Sequence, residues 1–251
     1  MTTSHHQVLL SCYNDQAERF GHTRKKKRPE VTLLKEYLRD RPVGDVVDVG
    51  CGTGRLYEAV RDLSGLRSYV WVDAAASMIA LAREYYPDAT FLHDDMVHFF
   101  SDQPQESLDT IIALASFHHL ETTDQRRITL HHMYKSLRRN GRCVLVNRSF
   151  SFRFLKKYRA AVLRAQVQHL ISGGRYHRND ILVPRKAVED GAVKKIYPRL
   201  YHLFTLSELT ALARETWFVV DTVSYVSQDG AISSNRSTSR NSLLCLRKAV
   251  G

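Results

Sequence analysis

Cysteine is scarce in this chain of 251 residues: Cys12, Cys51, Cys143 and Cys245 are all there is. They lie far apart and form no CxxC pair, so neither a disulfide framework nor a zinc-ligand cluster is indicated, no metal is expected, and a reducing compartment fits. No run approaches the 18 or so apolar residues of a membrane helix, and residues 1–20 lack the apolar core of a signal peptide. Internal repeats and long low-complexity tracts are missing too. A soluble cytoplasmic protein without a membrane partner is the expectation. Acid is also in short supply, with 26 Asp and Glu against 37 Lys and Arg and a formal charge of +11. That excess points to an acidic partner, since net charge governs association rather than fold; a merely solvated basic face is the plain alternative.

The imbalance is local. Residues 45–130 hold 14 acidic and 6 basic side chains, whereas residues 135–199 hold 17 Lys and Arg against Asp180, Glu189 and Asp190 alone. A further basic run stands at Arg24-Lys25-Lys26-Lys27-Arg28. The length suits one α/β domain: residues 1–251, with an N-terminal helical and basic segment at 1–42 and a basic insertion at 149–204. Short apolar or β-branched runs predict strands at Val46–Val49, Tyr69–Val72, Thr90–Leu92, Thr110–Leu114, Arg142–Asn147, Phe218–Val226 and Ser242–Leu246. Helical spacing predicts helices at Arg55–Leu63, Ser77–Tyr86 and Asp124–Arg138, and one from Ser207 with that hydroxyl as its cap. This alternation implies a seven-stranded, mostly parallel sheet with helices on both faces and an antiparallel C-terminal strand. Ser149–Phe204 reads as an irregular stretch opening with a helix through Phe154, Tyr158, Ala161, Val162 and Ala165. Ser227–Asn241, rich in Ser, Asn and Gly, reads as a mobile hairpin loop.

Gly50-Cys51-Gly52-Thr53-Gly54 directly follows the first strand and precedes a helical pattern, so the glycines can turn tightly and admit a ligand against the backbone. The spacing is GxGxG, with Asp48 before it and no third glycine at the dinucleotide spacing. Nineteen residues on, Asp73 ends the second strand, where a carboxylate can take two ribose hydroxyls. Asp94, Asp95 and Met96 follow the third strand, and Ala115-Ser116-Phe117-His118-His119-Leu120 follows the fourth. All these sit at strand C-termini, where open α/β sheets bind ligands.

The VVDVGCGTG stretch of Val46–Gly54 resembles the class I S-adenosylmethionine-dependent methyltransferases, whose fold is Rossmann-like. The resemblance implies S-adenosyl-L-methionine as cofactor: Asp48 near its amino group, Gly50, Cys51, Gly52 and Gly54 against its methionyl part, Asp73 on the ribose, and Asp95 on the adenine amino group with Met96 beside the ring. Asp94 is the alternative to Asp95, Ala115 borders the methyl group, and His118 or His119 either touches the substrate or is structural.

Further stretches, spread over most of the chain, resemble the tRNA carboxymethyluridine methyltransferases, which methyl-esterify 5-carboxymethyluridine at the wobble position. These are Tyr13–Arg24 with Pro29, the paired His118-His119, Asp180-Ile181-Leu182-Val183-Pro184, and Leu200-Tyr201-His202-Leu203-Phe204 with Glu208-Leu209. Ser224-Tyr225 and the final strand complete the series. Arg185 stands where that family has an aromatic, and Asn140-Gly141 replaces its Pro-Gly-Gly turn; both departures bear on the substrate. A carboxylate of pKa about 4 is ionised at neutral pH and needs no general base, so positioning dominates. Arg24 is the candidate to grip it through a bidentate guanidinium, or else to hold one more phosphate. Arg28, Arg148, Arg153, Arg178, Arg185, Tyr201 and His202 are the other substrate-binding candidates, suited to a tRNA anticodon loop. The resemblance also allows a small zinc-binding activator protein as partner. A small-molecule or lipid methyltransferase and a non-catalytic RNA-binding protein on the same fold are the competing readings.

Overall fold

Runs such as Ile111–Leu114 and Cys143–Val146 carry no polar alternation, so they are stable only with both faces covered. That is their situation in the computed structural model, which describes residues 4–22, 29–174, 176–189 and 192–250. The strands are β1 (Gly44–Val49), β2 (Leu66–Asp73), β3 (Thr90–His93), β4 (Leu108–Leu114), β5 (Leu137–Arg148), β6 (Asp180–Glu189), β7 (Ala192–His202), β8 (Val219–Ser227), β9 (Ile232–Ser233) and β10 (Ser239–Arg247). The helices are α1 (His5–Asn14), α2 (Ala17–His22), α3 (Pro29–Leu38), α4 (Tyr57–Val60), α5 (Ala76–Tyr85), α6 (Met96–Asp102), α7 (Thr123–Ser136), α8 (Phe152–Ile171) and α9 (Leu206–Glu215).

Eight strands form the main sheet in the order β3-β2-β1-β4-β5-β10-β8-β9. The first five are mutually parallel, and β10 runs antiparallel to both of its neighbours. The predicted seven strands are all present, and the eighth is the two-residue β9 at the edge. Successive residues face opposite ways. Val47, Val49, Ile111 and Ala113 pack on Leu130 and Met133 of α7 and Leu209 and Leu212 of α9. Val46, Trp71, Ile112 and Leu114 pack on Leu34 and Leu38 of α3 and Ile79 and Ala82 of α5. Two covered faces leave the C-terminal edge of β1–β5 as the place where loops can build a site.

The basic insertion is more regular than expected. After α8 the chain forms a two-stranded antiparallel ribbon, β6 on β7, from Asp180↔His202 to Glu189↔Ala192. Pro184 and Pro198 sit opposite each other in it, a register position that spares both prolines from donating to the ladder. Prolines and alternating Lys and Arg hide such a ribbon from a reading of apolar runs. Its inward residues Ile181, Val183, Tyr201 and Leu203 close a separate core with Val162 and Ala165 of α8.

Three local expectations are corrected. The α9 helix is capped by Thr205, whose hydroxyl accepts from the Glu208 amide while Glu208 reaches back to the Thr205 amide; Ser207 lies inside the first turn. Residues 227–241 are tied down, since β9 pairs with Tyr225 and Val226, the Phe152 amide donates to the Ser237 carbonyl, and Arg236 Nε donates to the Phe150 carbonyl. The α4 helix is a single turn rather than Arg55–Leu63, because the chain leaves Gly54 in a left-handed conformation and passes first through tight turns.

Candidate active site

Gly50, Gly52 and Gly54 all adopt positive φ, of 73°, 59° and 73°, which only glycine tolerates freely. The loop closes when the Gly50 and Cys51 amides donate to the Val72 carbonyl at 2.7 and 3.1 Å. The Asp73 carboxylate, at the end of β2, accepts from the Gly52 amide at 2.7 Å and the Ala75 amide at 2.9 Å, so it braces the loop while lining the space above it. Burial pushes its pKa up, against those two amides. Asp48 lies deeper, 1% exposed. The Tyr69 hydroxyl donates to its Oδ2 at 3.2 Å, Oδ1 has no partner, and burial pushes the carboxyl up to about 7.

A cavity of about 1050 Å³ opens over this loop. Gly50, Gly52, Asp73, Asp95, Met96 and Ala115 line it, together with the alternative Asp94; Asp48, Cys51 and Gly54 sit behind the lining. Asp95 caps α6, its Oδ1 accepting from the Val97 and His98 amides at 2.8 and 3.1 Å. Ala115 takes a positive φ of 63°, held by its amide on the Val146 carbonyl at 2.8 Å. The strained step turns Ser116 back so that its hydroxyl donates to the Val49 carbonyl at 2.7 Å, joining the ends of β1 and β4.

The rest of the lining is basic and aromatic. Arg148, Arg185, Arg199 and Arg240 belong to it with Tyr13, His118, His119 and Tyr201. His118 is 1% exposed and stacks on Tyr201 at 4.9 Å. His119 Nδ1 lies 2.7 Å from the Leu200 carbonyl and must donate to it, so in the neutral ring Nε2 accepts from the Tyr13 hydroxyl at 3.1 Å. Burial, the largest cause, depresses the His119 pKa to about 3. Both ring nitrogens are thus committed, one to the Leu200 carbonyl of β7 and one to Tyr13.

Of the expected substrate residues, Arg148, Arg185 and Tyr201 face the cavity, whereas Arg153, Arg178 and His202 do not. Arg153 bonds Gln228 on the exposed face of α8. The Arg178 carbonyl receives Gln166 Nε2. His202 is fully buried between Asp180 and Glu208, each 2.5 Å from a ring nitrogen, with Arg126 on Asp180 at 2.9 Å; it locks the ribbon to α9. Its neighbour His177 joins His202 and Glu208 as three groups close enough to share an ion. Arg24 and Arg28 lie outside the described residues. Sequence reasoning gave no site role to Arg55, Arg199 and Arg240, all on the cavity wall. For Arg55 the signal was its place directly after the glycine loop; for Arg199 there was none within the chain's local pattern.

Residues 47–143 match the family model described as a methyltransferase domain, and the sheet and loop are those of the class I S-adenosylmethionine-dependent methyltransferase fold. The chain is 31% identical over 140 residues to the tRNA (carboxymethyluridine(34)-5-O)-methyltransferase of Saccharomyces cerevisiae, covering 55% of this chain and 47% of that protein. It is 27% identical over 184 residues to the malonyl-[acyl-carrier protein] O-methyltransferase of Bacillus cereus, covering 70% and 65%. The chain therefore spans about half to two thirds of the length of these relatives. Among solved structures, a 1,6-didemethyltoxoflavin-N1-methyltransferase of Burkholderia thailandensis with bound S-adenosylhomocysteine superposes at TM-score 0.61 and 17% identity, covering 100% and 92%. The methyltransferase seen in complex with the Haloferax volcanii Trm112 methyltransferase activator does so at 0.64 and 14%, covering 95% and 98%.

Proposed function

We propose that the chain uses S-adenosyl-L-methionine to methyl-esterify the carboxylate of 5-carboxymethyluridine at the wobble position of tRNA. The observation that carries this reading is one cavity lined both by the glycines and carboxylates of the strand ends and by Arg148, Arg185, Arg199 and Arg240. The cofactor fits the glycines and carboxylates. A methyl group added at Gly52 would meet nothing within 4 Å, so that backbone is open to a ligand, and the unpartnered Oδ1 of buried Asp48 suits a cation close by. Asp73 and Asp95 would hold the ribose and adenine, with Met96 against the ring.

The bound cofactor supplies an electrophilic methyl group. What remains for the protein is to desolvate and aim an oxygen that is already anionic, which requires no base. The committed nitrogens of His119 agree with this, since a depressed, doubly bonded imidazole is a scaffold. The basic α8 and ribbon would track the phosphates of an anticodon stem-loop, and a Trm112-like activator is a fitting partner given the neighbour that binds one. Action on tRNA makes the cytoplasm the expected compartment. Among the described residues no helix is long and apolar enough to cross a membrane.

The test is nucleoside mass spectrometry of carboxymethyluridine-bearing tRNA incubated with the protein and cofactor, with and without an activator subunit. Appearance of the methyl ester supports the reading; its absence in both conditions rejects it. A second reading, a small-molecule acceptor, draws on the O-methyltransferase relative, and it predicts no salt-sensitive affinity for tRNA.

A further inference from the structure

Arg199 stands on β7 with its side chain 9% exposed and on the cavity wall. Among the described residues no carboxylate pairs with it. Its Nη1 reaches the Tyr13 hydroxyl at 3.5 Å, and its Nε, fully buried, has no partner at all. The guanidinium lies 5.1 Å from the centre of the Tyr201 ring and 5.9 Å from that of Tyr13. A buried cation without a counter-charge is costly, and flanking rings offset only part of that cost. Two other arginines of the lining have side-chain amide acceptors, Arg148 donating to Asn241 Oδ1 at 3.3 Å and Arg185 to Gln16 Oε1 at 3.1 Å, and neither holds a buried donor without a partner.

We infer that Arg199 is the specificity-determining residue of the acceptor site, completed only when an acceptor carboxylate enters and takes its free donors. The assignment rests on the reading of the acceptor given above and adds to it the group that tells an acid from its neutral amide. Two rings hold the guanidinium still, so little side-chain entropy is lost on binding. The residue also has a geometric link to the rest of the wall: the next carbonyl along β7, that of Leu200, orients His119, which receives the Tyr13 hydroxyl that Arg199 touches. Acid recognition and the order of this wall therefore share one strand.

The experiment compares two anticodon stem-loops, one bearing 5-carboxymethyluridine and one the neutral 5-carbamoylmethyluridine, as ligands of the wild-type protein and of Arg199→Met and Arg199→Lys, with S-adenosylhomocysteine affinity read in parallel by calorimetry. The wild type should prefer the acid by roughly 10- to 100-fold, the range of a hydrogen bond to a charged group. Arg199→Met should bind both stem-loops as the wild type binds the amide, Arg199→Lys should keep part of the preference, and S-adenosylhomocysteine affinity should move less than threefold. An unchanged preference in Arg199→Met overturns the assignment, as does a tenfold loss of S-adenosylhomocysteine affinity, which would mean that the arginine holds the cofactor's own carboxylate. A wild type that neither prefers nor methylates the acid rejects instead the acceptor reading on which the assignment rests. Intact S-adenosylhomocysteine binding by the variants shows that they are folded.

Discussion

Replacing Gly50 or Gly52 by alanine puts a methyl group into the same loop under two different constraints. At Gly50 the new Cβ would stand 2.2 Å from the Ser116 Cβ, where apolar carbons need about 3.5 to 4.0 Å. Ser116 cannot simply rotate away, because its hydroxyl joins β4 to the Val49 carbonyl and its backbone follows the strained Ala115. A left-handed alanine costs about 1 to 2 kcal/mol and forced overpacking about 1 to 3, so the fold should lose roughly 2 to 5 kcal/mol. For a chain of this size that is a fall in melting temperature of roughly 4 to 20 °C. At Gly52 only the conformational cost applies, about 1 to 2 kcal/mol, because nothing lies within 4 Å; the methyl instead fills the space in which the proposed function places the cofactor. Differential scanning calorimetry without ligand, followed by titration with S-adenosylhomocysteine, separates the two. Gly50→Ala should melt early, and Gly52→Ala should melt near the wild type yet bind at least about 100-fold more weakly, as expected when a rigid pocket is overfilled. Wild-type affinity in Gly52→Ala, or a wild-type melting curve in Gly50→Ala, would refute the reasoning.

Asp48, pushed by burial to about 7 in the fold and titrating near 4 when unfolded, makes the folded state the stronger proton binder. Stability should therefore decline as pH rises from about 4 to 7, and urea melts of Asp48→Asn should show a flatter profile. If Asp48 holds the cofactor ammonium as proposed, S-adenosylhomocysteine affinity should strengthen over the same range in the wild type and not in the variant. His202→Ala removes the imidazole that both Asp180 and Glu208 contact and should cost about 1 to 3 kcal/mol, typical of a buried polar group left without its partner; unchanged thermal stability with lost activity would return His202 to the substrate set. Replacing exposed Lys156, Lys157 and Arg159 by Gln should weaken tRNA binding and flatten its dependence on salt, by up to about one unit of log–log slope for each phosphate no longer neutralised, with S-adenosylhomocysteine titrations unchanged.

The core strands were legible because burial on two faces leaves an unmistakable mark, as in Ile111–Leu114, whereas the α9 cap fell on Thr205 rather than Ser207, because two hydroxyls two residues apart offer the same local chemistry. The ribbon was not legible. Each of its strands is apolar on alternate residues, interrupted by Pro184 and Pro198, and makes sense only once α8 supplies the other half of its core. The site divides along the same line. Gly50, Gly52, Asp73 and Asp95 sit within a few residues of the strand ends that display them, so spacing alone marks them. Arg148, Arg153, Arg178, Arg185 and Arg199 look alike on paper, and only packing sorts them.

By itself, then, the sequence determined that a glycine loop would follow a buried strand, that acids would end the next two strands, and that basic charge would gather after the fifth. These are short-range properties: φ preference, alternation and charge density act over a handful of residues. Tertiary structure alone decided which cation is buried and which histidine is a brace. Arg199 meets Tyr13 across 186 positions of chain, and His202 meets Asp180 across 22. Burial converts an ordinary arginine into an unpaired charge, and it arises from where α1 and the ribbon close on each other, which no local pattern encodes.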